Sequence, residues 1–358
     1  MGGPVLAGRT VVWLERQAGE VRLERALPGR PPRVLLRQSL RDASLEDVAA
    51  SASVVAVERR TSICPPPNPP IGYTCSEERA ILEAGSQGGF RTVAPTDDCG
   101  GGSSSSPTSV DASGPVVALG LNVCLAPDNR RRRVALATLD RPGVTVLCDS
   151  AQFALPSRCD GEARIAGGFV AWREGRSAIV VFDTRTGAVA SRPLVPHAVS
   201  FDLQADGTVA AAYYPADAGV PASIVWHGAD RTGRTLPFRI VGARGHDPDV
   251  RIAANRILAE RDLGRGVSAL VVSDLAGRTT RIARFKAPVR RDGGLDLDAR
   301  RVSWASTRVT SSRLDCPPPP ILPPCLRRET GVTTIWVAPA RGGAPRAVAR
   351  LAFRGVAG

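Results

Sequence analysis

Eight cysteines fall into four local pairs along the chain: Cys64 with Cys75, Cys99 with Cys124, Cys148 with Cys159, and Cys316 with Cys325. An even count in short pairs reads as a disulfide framework. Zinc is the competing reading. Structural zinc sites favour spacers of about two to four residues between paired ligands, whereas these intervals are longer and the three histidines lie far away. Disulfides persist in oxidising compartments, so the expected location is extracytoplasmic, either secreted or associated with the cell envelope. The chain opens Met1-Gly2-Gly3-Pro4 and runs straight into an apolar segment. With no basic start followed by an apolar export segment, it is expected to be a mature or truncated form.

Catalytic chemistry needs a nucleophile with its base, a metal cluster, or paired carboxylates in a recognisable frame. The sequence has no Gly-x-Ser-x-Gly elbow, no His-Glu-x-x-His and no phosphate-cradling glycine loop. The nearest candidate is His246-Asp247-Pro248-Asp249, joined by His197 in a similar connection. If His197, His246 and Asp249 converged, imidazole and carboxylate could hold a divalent metal; a polar turn is the plainer reading. His227 follows a strand and stands apart. No catalytic residue, no resident metal and no cofactor are therefore expected.

The formal charge of +13 is carried almost wholly by arginine, since Lys286 is the single lysine. A basic surface attracts polyanions, and guanidinium groups bind two carboxylate or phosphate oxygens at once. The clusters to consider are Arg130, Arg131, Arg132 and Arg133, Arg173 with Arg176, Arg261 with Arg265, and Arg327 with Arg328; Glu174, Glu260 and Glu329 interleave with them. Only 4% of the residues are aromatic, which argues against a stacking platform for single-stranded nucleic acid. Although 43% of residues are hydrophobic, no run approaches the roughly 18 apolar residues of a membrane helix.

The elements that position these residues repeat. An apolar residue, a short polar or glycine-containing turn and a Val/Ala-rich strand recur seven times, at LAGRTVVWLE, VAASASVVAVE, VDASGPVVALG, IAGGFVAWRE, LQADGTVAAAYY, IAANRILAER and LDARRVSWAS. A second alternating strand follows in each unit, as in VRLERAL or IVVFD, and then a glycine: Gly29, Gly88, Gly143, Gly187, Gly233, Gly277 or Gly342. Glycine supplies the positive φ of tight hairpins. Each unit reads as four short antiparallel strands with no helical period. Units of about fifty residues cannot bury both faces alone, but a radial ring of them does.

The expected fold is all-β, a seven-bladed β-propeller of four-stranded antiparallel blades, with six or eight blades as alternatives. A single domain is expected over 1–358, with blades near 4–38, 45–98, 107–150, 163–195, 199–243, 249–287 and 293–353. Trp13, Trp172 and Trp304 occupy equivalent second-strand positions and are expected to pack between blades, with Trp226 and Trp336 in the core as well. The low-complexity stretch Asp98 to Ser106, DCGGGSSSS, is a flexible linker by composition.

Two units carry a family resemblance. Ala205-Asp206-Gly207-Thr208-Val209 resembles the Asp-Gly turn and following strand of TolB-type propellers, and IVVFDTRTG from Ile179 to Gly187 resembles their second apolar strand and glycine hairpin. That family's Ser-Pro-Asp-Gly turn is nowhere complete here, so the resemblance implies fold and blade grammar and carries no partner or site.

Lettering the strands a to d outward from the axis, the a–b turns and c–d hairpins share one face, while b–c loops and blade connections share the other. Every cysteine is expected on the second face, where CPPPNPPIGYTC and CPPPPILPPC would wall a groove beside the first blade. The expected function is a monomeric, non-enzymatic scaffold binding a protein, a peptide or an anionic envelope polymer there. The alternative is a lactonase-like hydrolase or lyase with its site at the axial channel.

Overall fold

The computed structural model describes residues 3–357 apart from 18, 42, 64–75, 86–88, 97–108, 127–128, 152–158, 161, 176, 216–221, 229–232, 243–246 and 316–325. The described residues form antiparallel strands and no helix. The first unit comprises β1 (Val5–Ala7), β2 (Thr10–Gln17), β3 (Glu20–Ala26) and β4 (Arg33–Ser39), and the second β5 (Ser44–Ala50), β6 (Val54–Ile63), β7 (Ser76–Gly85) and β8 (Arg91–Thr96). Next come β9 (Ser109–Ser113), β10 (Val116–Ala126), β11 (Asn129–Thr138) and β12 (Arg141–Ala151), then β13 (Ala163–Ala166), β14 (Phe169–Glu174), β15 (Ala178–Asp183) and β16 (Ala188–Ser191). They are followed by β17 (Ala198–Leu203), β18 (Val209–Tyr213), β19 (Ser223–His227) and β20 (Gly233–Thr235), and by β21 (Val250–Ala253), β22 (Arg256–Asp262), β23 (Val267–Asp274) and β24 (Thr279–Lys286). β25 (Val289–Leu297), β26 (Arg301–Asp315), β27 (Leu326–Pro339) and β28 (Arg346–Ala357) complete the chain. Within each unit the strands pair in sequence order; β21–β28 form one continuous sheet, but β24 and β25 are joined only through Lys286 and Val289.

The packing explains why these residues make this fold. Second strands read as continuous apolar runs because both faces are covered: Val11, Val12, Trp13 and Leu14 of β2 are all buried. Fourth strands face solvent and are mostly exposed or half-buried, as in β4. The hydrophobic clusters lie between successive units rather than inside one. Val12, Leu14 and Leu23 meet Val48, Val55 and Val57; further on, Leu258 and Leu270 meet Leu295, Val302 and Trp304. The last interface closes the circle, with Leu6, Val11 and Trp13 against Ile335, Val337 and Val348. First strands touch in the same cyclic order, β25 returning to β1. The molecule is a β-propeller.

At the closure Gly3 passes against Gly294 so tightly that a Cβ on Gly3 would sit 2.3 Å from the Gly294 nitrogen. Only glycine fits this approach. The Ser303 hydroxyl donates to the Pro4 carbonyl at 3.0 Å across the same junction.

The hairpin glycines Gly29, Gly143, Gly187, Gly277 and Gly342 all have positive φ, as their turns require. Gly233 does not behave this way: it begins β20 and pairs with His227. Gly88 lies outside the described residues. Trp13, Trp172, Trp226 and Trp304 are buried, and Trp336 stacks on Trp304 at 6.3 Å.

Cys148 and Cys159 form a disulfide that ties β12 to the connection entering the fourth unit, on the face of the b–c loops. A bridge closing so short a loop stabilises by about 2 to 3 kcal/mol, chiefly through the unfolded chain. Cys64, Cys75, Cys99, Cys316 and Cys325, and the Cys124 side chain, lie outside the described residues, as do DCGGGSSSS and both proline-rich loops.

Candidate functional site

A cavity of about 880 Å³ lies on the ring axis, walled by the first strands and opening between the a–b turns. Alternation along a strand sends neighbouring side chains to opposite faces. Leu6, Val48, Ala112, Ile165, Leu203, Ile252 and Leu297 pack into or beside the inter-unit core, so the residue before each one faces the axis. The axial positions are Val5, Asp47, Asp111, Arg164, Asp202, Arg251 and Asp296, in ring order.

These carboxylates stitch the units together. Asp111 Oδ2 accepts the Ile165 N–H of the next unit at 2.8 Å, Asp202 Oδ2 that of Ile252 at 2.7 Å, and Asp296 Oδ2 that of Leu6 at 2.6 Å. Asp47 accepts from Val110 in the same way. The arginines are also anchored: Arg164 donates through Nε to the Phe201 carbonyl at 3.2 Å and through Nη2 to Glu162 at 3.1 Å. Arg251 donates through Nη1 to Asp249 at 2.7 Å and to the Val250 carbonyl at 3.0 Å.

Withdrawal from bulk water pushes the ring carboxyls up, Asp47 and Asp296 to about 6, Asp202 to about 7, with Asp111 shifted the same way. Glu24 is raised to about 7 by burial and by neighbouring Glu15. A carboxyl whose folded pKa exceeds its unfolded value binds more protons in the native state, so stability falls as pH rises through that window. Between about pH 4 and pH 7 Asp47, Asp202, Asp296 and Glu24 therefore withdraw on the order of 3 kcal/mol each as they ionise. Thermal melting is expected to be higher near about pH 5 than near about pH 8. Asp183, Asp206 and Asp274, whose pKa values are lowered, withdraw stability only at more acid pH. Scanning calorimetry across this range checks the sign, and a melting temperature that climbs steadily toward alkaline pH contradicts it.

On the opposite face the arginine clusters are largely engaged. Arg131 and Arg133 share Asp149 at 2.6 and 3.1 Å, Arg132 is paired with Asp160, and Arg173 with Glu162 at 2.6 Å. Arg261 lies over the Phe238 ring at 5.6 Å. Arg265, at φ 52, and Arg328 are exposed. The side chains of Arg130 and Arg327, and the whole of Arg176, lie outside the described residues.

His197, with φ 58, lines a hollow of about 430 Å³ with Asp160, Arg173, Tyr214 and Pro215. Asp249 is held by Arg251, and His246 lies outside the described residues. Among the described residues no three His, Cys, Asp or Glu side chains are placed to hold a metal ion.

The axial ring is the feature that the sequence reading passed over. Its signal was a charged residue directly before the apolar residue that opens five of the seven repeats, Asp47-Val48, Arg164-Ile165, Asp202-Leu203, Arg251-Ile252 and Asp296-Leu297, whereas Val5 precedes Leu6 and Asp111 follows Val110. Each is unremarkable alone and becomes visible only when the units are aligned.

Fold and ring together define a β-propeller with a charged axial channel. No family model matches the chain, and no curated protein matches it. Among solved structures it is similar to one from a structural and mechanistic study of two prolyl endopeptidases, at 14% identity and a TM-score of 0.53, covering 93% of this chain and 52% of that one. The chain thus spans about half the length of that neighbour, and the likeness is one of fold. It is also similar to the WD40 domain of Toxoplasma gondii coronin, at 10% identity, TM-score 0.48 and coverage of 82% and 73%, and to BamB from Moraxella catarrhalis, at 12%, 0.43, 84% and 89%. No helix among the described residues is long and apolar enough to cross a membrane.

Proposed function

We propose that the chain is a single seven-bladed propeller of TolB-like blade grammar that acts outside the cytoplasm as a non-enzymatic scaffold, docking a protein partner on the face of its b–c loops. The observation that carries this reading is the exposed apolar side chains there: Leu194 at 68%, Leu314 at 57%, Leu263 at 44% and Tyr214 at 40%. All four lie at b–c ends of strands or in a unit connection. Exposed apolar groups set among ion-paired side chains suit a protein interface, where the desolvated centre is apolar and the rim polar. The pairing of Arg131, Arg132, Arg133 and Arg173 with acids favours a protein over an anionic polymer, because few of those cations are left to neutralise a polyanion. The Cys148–Cys159 bridge supports the extracytoplasmic placement.

A photocrosslinking side chain at Leu263 or Tyr214, carried by the full chain in its native cell, is expected to give discrete protein adducts. The same probe at Arg185, in a c–d hairpin of the other face, is expected to give none. Adducts from Arg185 alone, or an identical pattern from both faces, would reject the assigned surface.

A further inference from the structure

The charges around the axis are not evenly distributed. Arg164 and Arg251 stand in the fourth and sixth units on either side of Asp202, while the arc from the seventh unit through the first to the third carries Asp296, Val5, Asp47 and Asp111. A guanidinium-bearing side of the cavity therefore faces a side whose charged axial residues are all carboxylates. The fields reach across the opening: Asp47 in the second unit feels Arg164, and Arg251 feels Asp111 as well as its neighbours Asp202 and Asp296.

The two arginines differ in what they have left to offer. Arg164 spends Nε, Nη1 and Nη2 on Phe201, Ala163 and Glu162. Arg251 is held through Nη1 alone, and its Nε and Nη2 have no hydrogen-bond partner among the described residues. Those two nitrogens form the edge that takes both oxygens of a carboxylate. Opposite them, each ring carboxylate accepts backbone N–H groups and keeps lone pairs for a further donor.

The mouth is open. The a–b turns around it are built from small residues, and two adjacent pairs are pressed together: a Cβ on Gly8 would stand 3.2 Å from the Ala52 Cβ, and one on Gly167 3.1 Å from that of Ala205. A volume near 880 Å³ lies within the range of small-molecule sites and exceeds what one amino acid fills.

We infer that the axial cavity binds a short zwitterionic peptide, its terminal carboxylate on Arg251 and its terminal ammonium in the carboxylate arc of Asp296, Asp47 and Asp111. A monopolar ligand satisfies only one side of the ring, and a ligand with both ends of one sign is repelled by the other. This inference uses the face opposite the proposed protein-docking surface, so either can fail without the other.

Isothermal titration of the intact chain with trialanine tests it, with N-acetylated trialanine, trialanine amide and free alanine as the other probes. Trialanine is expected to bind, each blocked form at least about tenfold more weakly, and alanine more weakly than trialanine. Arg251→Gln is expected to abolish the preference for a free carboxylate while leaving the preference for a free ammonium. Asp47→Asn, which keeps an acceptor for Val110, is expected to do the reverse, and it remains informative if Arg251→Gln does not fold. Absence of trialanine binding to the folded protein overturns the inference. So does binding that is indifferent to terminal blocking, or unchanged in both folded variants.

Discussion

Arg291→Met is expected to lower the free energy of unfolding by about 3 to 5 kcal/mol. Arg291 Nε meets Glu260 Oε2 at 2.5 Å, and the two side chains are only 2% and 5% exposed. Glu260 comes from β22 and Arg291 from β25, so the pair spans two units. Arg291 also donates through Nη1 to the Gly293 carbonyl at 2.5 Å, and the Ser268 hydroxyl donates to Glu260. Removing the guanidinium leaves a carboxylate inside the protein without its countercharge, and the cost is that of the abandoned charge more than of the lost bond. The pair itself is worth much less. Arg291→Met combined with Glu260→Met is accordingly expected to recover most of the loss, because neither charge then has to be desolvated. Urea titrations of the two single variants and the double variant measure this directly. A single variant within about 1 kcal/mol of wild type, or a double variant as unstable as the sum of the singles, would show that this ion pair is not the buried unit described.

Asp296→Ala is expected to cost about 1 to 3 kcal/mol and to cost more than Asp111→Ala, although the two carboxylates make the same kind of bonds. Asp111 takes the N–H groups of Ala112 and Ile165, and Asp296 those of Leu297 and Leu6. The difference lies in what else holds each junction. The third and fourth units are joined by the chain itself and by the Cys148–Cys159 bridge. Among the described residues the last and first units meet through noncovalent contacts: the Asp296–Leu6 bond, the Ser303–Pro4 bond, the pairing of Arg301 with the Gly8 carbonyl, and the cluster around Trp13 and Ile335. Opening that seam requires no chain to unfold elsewhere, so its local stability sits nearer the low end of the molecule's range. Hydrogen exchange should therefore accelerate in β1 and in the inner part of β27 in Asp296→Ala before it does so elsewhere, and equal destabilisation by the two substitutions would refute the seam argument.

Most of the fold was legible in the chain because the signals are local. IVVFD announces a strand through alternation and β-branching, and the positive φ of Gly187 that follows it is written in the residue itself. The hydrophobic run of β2 announces burial on both faces, and Trp13, Trp172 and Trp304 proved to be packing residues. Gly233 failed as a hairpin marker because one glycine does not fix where a turn begins when its neighbours, as at Gly233-Arg234-Thr235, can extend a strand. The site was harder to read. Arg131, Arg132, Arg133 and Arg173 look like a cationic surface in sequence, where the distance to Asp149, Asp160 and Glu162 is invisible.

By itself the sequence determined the strand units, their order, the faces their residues present and the cysteine pair that closes at Cys148 and Cys159. Those properties depend on residues within a few positions of one another, where alternation and turn chemistry act. Only the tertiary structure decided that Asp47, Asp111, Arg164, Asp202, Arg251 and Asp296 share one cavity, and that Asp296 reaches Leu6 from 290 residues away. Charges interact through space, and the distance between residues in different units is set by the closing of the ring rather than by any stretch of chain between them.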